Sequence, residues 1–135
     1  VEDGGEIAIQ TNQDSEISLL SLTSPIGDKL GLHIPGNNQY LGIASSSGTF
    51  GHSISLGKAD LVTIIAKNAA FADAAATAIA NEVIATNPDE AIQQGIQKFK
   101  EFDPNAFFGV IINKKEKIGL YGTIPQIVKI KNSES

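Results

Sequence analysis

An α+β fold, in which a mixed or antiparallel sheet packs with two main helices, is predicted by three features of this 135-residue sequence. Short strand-like runs punctuated by turn residues fill the first forty positions, an alanine-dense helix follows, and a capped amphipathic helix then leads into a hairpin. The length corresponds to a single domain, residues 1–135, on the usual scale of roughly 100 to 200 residues per domain. With 41% apolar residues the chain has material for its own core.

The opening strands are Glu6 to Gln10, Glu16 to Leu22 and Lys29 to Ile34, separated by a turn at Asn12 to Ser15 and by Pro25 and Gly27. Leu41 to Ser45 is a short apolar run that passes into a small-residue loop, Ser45 to His52. Leu61 to Ala66 reads as a buried strand. Ala69 to Ile84 is the strongest helix, because eight alanines fall between 69 and 80 with neither glycine nor proline among them. A second helix starts at Asn87 as N-cap, with Pro88 at N1, Glu90 completing a capping box, and Ile92, Ile96, Phe99 and Phe102 as its apolar face. Phe107 to Ile112 and Lys117 to Tyr121 flank the polar turn Asn113 to Glu116 as a hairpin, and Ile124 to Ile130 supplies a last edge strand.

Composition removes several classes of chemistry. The absence of cysteine excludes a disulfide framework, thiolate metal sites and a cysteine nucleophile. All ten cations are lysines in a chain of net charge -5, which argues against sequence-specific nucleic-acid binding because no guanidinium is present to read a base edge. No run approaches the roughly 20 apolar residues of a membrane span, and the chain reads as soluble and cytoplasmic. Methionine is also absent: either Val1 follows a removed initiator or the chain is a fragment.

On the alanine-rich helix the apolar positions run nearly all the way round, which predicts burial on most sides. Asp73, Thr77 and Asn81 interrupt them at i, i+4 and i+8 and so share one narrow stripe. Such a stripe faces either water or a site. Solvent edges are usually built from long lysine and glutamate side chains. These three are short, and a carboxylate with a hydroxyl one turn later is a sound pair of oxygen ligands for magnesium, completed by water or phosphate. The expectation is therefore a metal pair, Asp73 and Thr77, on one buried helix face.

The segment Ser45 to Asp60 collects serines, glycines, His52 and Lys58, the ingredients of a phosphate cradle. Ser46, Ser47, Gly48 and Gly51 are the candidate cradle, with His52 and Lys58 as candidate catalytic residues. A Walker loop is ruled out because Ala59 follows Gly57-Lys58 where a hydroxyl residue is needed. A Ser47, His52 and Asp60 triad lacks the G-x-S-x-G elbow. His52 as a hydrogen-bonded structural residue, and Lys58 with Asp60 as a surface ion pair, are the alternative readings.

In order, Gly4-Gly5-Glu6-Ile7, Ala44-Ser45-Ser46-Ser47-Gly48, Gly51-His52-Ser53, Val62-Thr63-Ile64-Ile65-Ala66 and Ala72-Asp73-Ala74-Ala75-Ala76-Thr77-Ala78 resemble the C-terminal half of the ApbE-like superfamily, the FAD:protein FMN transferases. They resemble more closely an uncharacterised sister family that carries the GHSISLGKAD and ADAAATAIAN stretches almost as written here. The resemblance extends over residues 1 to 125 or so. It implies an ApbE-like fold and magnesium on an FAD pyrophosphate, held by Asp73 and Thr77. It also implies a nucleotide-side turn at Gly4 and Gly5, and His52 as the histidine of the transferases' H-x-x-D-P motif. Ser55 and Leu56 stand where that motif has Asp and Pro.

The reading that follows is a flavin- or adenine-nucleotide-binding and Mg2+-binding protein. The alternatives are an active FAD:protein FMN transferase-type enzyme, or a sulfur-assimilation factor on the same scaffold. The transferases carry an A-K-G-Y-like segment before the GG turn, and this chain begins after that point. The resemblance thus implies an N-terminal half that is missing or is a separate partner chain. A homo-oligomer is a further option, with no nucleic acid and no membrane as partners.

Overall fold

The computed structural model describes residues 6–10, 15–23, 29–34, 40–47, 61–83, 85–115 and 117–129. Eight strands and two helices follow in the order β1 (Glu6–Gln10), β2 (Ser15–Thr23), β3 (Lys29–Ile34), β4 (Tyr40–Ser47), β5 (Leu61–Ala66), α1 (Ala69–Glu82), α2 (Pro88–Phe99), β6 (Phe107–Lys114), β7 (Lys117–Gly122) and β8 (Gln126–Lys129). They form a five-stranded sheet, β1-β4-β5-β6-β7, and a three-stranded sheet, β2-β3-β8. Every strand pair is antiparallel, so the α+β expectation holds in its antiparallel form. The hairpin β2–β3 is inserted between the neighbours β1 and β4, and β8 returns to the second sheet as its edge.

Burial divides the molecule into layers. Along β5 the side chains alternate between two cores: Val62, Ile64 and Ala66 meet the helices, whereas Ile65 meets Ile43, Ile111 and Leu32 of β3. All six β5 residues are buried, because the strand is covered on both faces. Fully hiding residues such as Ile64, Ile65, Ile79, Ile111 and Ile112 contributes about 1.5–3 kcal/mol each, which makes the central strands the anchor of the fold.

Both helices lie on the same face of the larger sheet, α1 over β4, β5 and β1 and α2 over β6 and β7. Asn68 caps α1 by accepting a hydrogen bond from the Phe71 N–H at 2.8 Å. Asn87 caps α2 in the same way, accepting from the Glu90 N–H at 3.1 Å, with Pro88 in the first turn. Lys117 of β7 reaches back to Asp89 at 3.0 Å and ties the start of α2 to the sheet edge. Gly42 is where α1 comes down on the sheet. A Cβ there would collide with the main chain of Asn68 and Ala69, so only glycine lets the helix start this close to β4.

Three expectations are corrected. Helix α1 is not buried on most sides: Ala72, Ala75, Ala76, Ile79 and Ala80 face the core, while Ala70, Ala74, Thr77 and Asn81 are exposed. Alanine conceals this from a hydropathy reading, since leaving one methyl in water costs little and the residue serves both faces equally well. Strand β4 runs through Ser47, so Ser46 and Ser47 belong to the sheet, opposite Val62 and Leu61, rather than to the loop. Helix α2 stops at Phe99, and Phe102 joins the apolar cluster from beyond the helix end.

Candidate functional site

The direction of α1 decides which of the sequence-predicted residues come together. Its first turn sits on Gly42, and it runs back over the sheet alongside β4. Thr77 is eight residues along the helix from Ala69, about 12 Å of rise, and Ser46 is four residues along the strand from Gly42, about 13 Å. Counted from that contact, Thr77 and Ser46 are therefore about equally far along their own elements. By the same count Asp73 is as far along α1 as Ala44 is along β4, and Ala44 pairs with Glu6 of β1.

The rotation of the helix is fixed by Phe71, which stacks on Phe107 of β6 with ring centroids 5.5 Å apart. At about 100° per residue Asp73 lies some 160° away from Phe71 around the axis, on the flank turned toward β1. Asp73 and Thr77 are both exposed there, not on the buried face the sequence suggested, because the sheet-facing arc is already filled by Ala72, Ala75, Ala76, Ile79 and Ala80. The Thr77 hydroxyl donates to the Asp73 carbonyl oxygen at 3.0 Å. That bond uses the hydroxyl proton and fixes the rotamer, leaving the oxygen lone pairs free to accept. A carboxylate and such a hydroxyl form an all-oxygen donor pair that fits a hard cation. Among the described residues no three His, Cys, Asp or Glu side chains converge, so a cation here would rest on one carboxylate and on oxygens from its ligand.

Ser45 and Ser46, neighbours near the end of β4, face opposite sides of the sheet. Ser46 is half-buried on the helix side of the sheet, the side shared with Ala44. Ser45 points to the other side, where its Oγ lies 2.8 Å from Thr63 Oγ1. Thr63 is fully buried, and the pairing with Ser45 satisfies its hydroxyl. Sequence reasoning missed this pair, because the partners are 18 residues apart and only the β4–β5 register places them opposite each other. Gly4, Gly5, Gly48, Gly51, His52 and Lys58 lie outside the described residues.

Residues 1–105 match the model of a protein family described as AbpE bacteria. That span takes in β1 to β5 and both helices, and with them Ser46, Asp73 and Thr77. The chain belongs to this family. Beyond the family match, the chain is similar to UPF0280 proteins of methanogens. It is 36% identical to the one from Methanobrevibacter smithii over 129 residues, which is 96% of this chain and 54% of that protein. It is 39% identical to the one from Methanococcus aeolicus over 131 residues, 95% and 51% of the two chains. It is 37% identical to the one from Methanothermobacter thermautotrophicus over 131 residues, 95% and 49%. The chain spans about half the length of the curated relatives it matches. The ApbE-like resemblance read from the motifs thus holds at the level of the family. The AbpE-family match ends before β6, so the hairpin β6–β7 and the return strand β8 lie beyond it.

Proposed function

We propose that this AbpE-family chain binds FAD or another adenine nucleotide together with Mg2+, without transferring FMN. The observation that carries the reading is the Asp73–Thr77 pair, one carboxylate and one hydroxyl whose proton is already engaged, on the flank of α1 that is turned toward β1. The half-buried Ser46 supports the same reading, since it lies on the side of the sheet that α1 covers. Magnesium bound there would neutralise the charge of a pyrophosphate, which is the chemistry it supplies to phosphate ligands. Asp73 would contribute the charged oxygen and Thr77 a neutral one, while the serine- and glycine-rich segment after Ser46, with His52 and Lys58, would cradle the phosphates. Ser55 in place of an aspartate favours binding over transfer, because serine keeps a hydrogen bond but brings no carboxylate to orient the imidazole or accept a proton.

Calorimetric titration of the natural protein with ADP and with FAD, each with and without Mg2+, tests binding. Mass spectrometry of a threonine-bearing acceptor peptide after incubation with FAD and Mg2+ tests transfer. The reading expects Mg2+-dependent affinity for both nucleotides and an unmodified acceptor. An FMN-sized adduct would establish the transferase instead, and no nucleotide affinity with Mg2+ present would remove the reading altogether.

A further inference from the structure

The end of the helix layer away from Ser46 carries a different kind of chemistry. There the start of α1, the end of α2, the start of β6 and the end of β7 meet, and five aromatic rings form a continuous row. Phe71 stacks on Phe107; Phe107 meets Phe102 at 5.0 Å between centroids; Phe102 meets Phe99 edge-on at 6.3 Å; and Phe99 meets Tyr121 edge-on at 6.0 Å. Aromatic contacts of this kind order rings beyond what area burial alone achieves. The row is not a closed core: Phe71 and Tyr121, its two ends, are 40% and 41% exposed. Four of the rings, Phe99, Phe102, Phe107 and Tyr121, line a cleft of about 700 Å3, which falls within the size of small-molecule sites.

A cationic group stands at each end of the row. Lys100 holds its Nζ 5.1 Å from the Tyr121 ring centroid, and Lys67 holds its Nζ 5.9 Å from that of Phe71. Neither forms an ion pair among the described residues, whereas Lys98 and Lys117 are paired with Glu101 and Asp89. The nearby carboxylates are engaged elsewhere: Glu101 with Lys98, and Asp103 with the Asn105 N–H at 2.9 Å. In a chain of net charge -5, one such lysine in the lining of the aromatic cleft, Lys100, favours an anion with a flat apolar body, while Lys67 stands outside the cleft at the Phe71 end of the row.

We propose that the cleft between α2 and β7 is a binding site for a planar aromatic or heteroaromatic small molecule carrying a carboxylate or phosphate, with Lys100 meeting the anionic group and Phe102, Phe107 and Tyr121 meeting the ring system. The site is separate from the Asp73 flank, since Phe71 and Asp73 project from nearly opposite sides of α1, and it does not depend on the nucleotide reading.

The test is an NMR titration of the natural protein with 2-naphthoate, repeated with the neutral 2-naphthamide and with acetate. Naphthoate should produce saturable shifts confined to residues around 99–108 and 121–123, and acetate should produce none there. Naphthamide should bind about fivefold more weakly, the scale of one partly exposed charge contact. Lys100→Gln should bring naphthoate down to the naphthamide level while leaving naphthamide unchanged. Tyr121→Ala should weaken both. Lys100 is exposed, so its variant keeps the test valid even if Tyr121→Ala is unstable. Equal affinities for the two naphthalenes, shifts centred on Ser46 and Asp73, or no saturation at all would each overturn the proposal. The last outcome includes a cleft occupied by another part of the natural protein.

Discussion

Replacing Gly42 by alanine adds one methyl group at the point where α1 lands on β4. The added Cβ would lie inside contact distance of the Asn68 carbonyl carbon and oxygen and of the Ala69 nitrogen. These are main-chain atoms of the helix cap, so no rotamer change relieves the overlap, and the first turn of α1 must lift off the sheet. Overpacking of this kind costs typically 1–3 kcal/mol, and a clash against main chain belongs at the upper end. Alanine restricts the unfolded chain and returns about 0.4–1 kcal/mol. The net expectation is a loss of about 2 kcal/mol, seen in urea unfolding as a fall in midpoint of about 1 M with an unchanged slope. The lift also displaces Asp73 and Thr77 relative to Ser46, so nucleotide affinity should drop in protein that is still folded. A midpoint within about 0.2 M of the parent would refute the reasoning, because it would mean that α1 does not rest on Gly42.

Three further expectations concern single side chains. Asn68→Ala removes the acceptor of the Phe71 N–H and should cost about 1 kcal/mol in urea unfolding, whereas Asn68→Asp, which keeps a capping oxygen, should cost much less. Lys115 turns the β6–β7 hairpin with φ of 57°, a conformation that asparagine tolerates better than lysine. Lys115→Asn should therefore raise the thermal midpoint, and a fall would contradict the turn geometry. Thr77→Val removes an exposed hydroxyl and should leave the unfolding midpoint nearly unchanged while lowering Mg2+-dependent ADP affinity; equal affinity by calorimetry would take Thr77 out of the site.

Much of this architecture is legible in the sequence because local chemistry dictates it. Glu6–Gln10, Lys29–Ile34 and Leu61–Ala66 are strands with the bounds expected from alternation and flanking turn residues, and Asn87 with Pro88 marks the start of α2. What escaped depends on register or on distance along the chain. Ser46 and Ser47 read as loop because serine is a common turn residue, yet ladder pairing with Val62 and Leu61 holds them in β4. The division into two sheets was hidden because β8 carries the same apolar pattern whichever sheet it joins, and its pairing with β3 is set by the tertiary fold. The aromatic row joins residues from 71 to 121, and no local pattern announces it. At the candidate site the i, i+4 spacing correctly placed Asp73 and Thr77 on one stripe. That the stripe is exposed rather than buried depends on which arc of α1 meets the sheet, and Ala72, Ala75, Ala76, Ile79 and Ala80 fill that arc.

The central claim is that Asp73 makes nucleotide binding depend on magnesium. The measurement is ADP affinity by calorimetry for the parent and for Asp73→Ala, each with Mg2+ and with EDTA. Asp73 is exposed, and the carbonyl that accepts from Thr77 belongs to its main chain, so the substitution should leave α1 intact. The account predicts that Mg2+ strengthens ADP binding in the parent, that Asp73→Ala removes most of this gain, about tenfold or more in affinity, and that the two proteins bind ADP alike in EDTA. An Mg2+ effect of the same size in both proteins would contradict it.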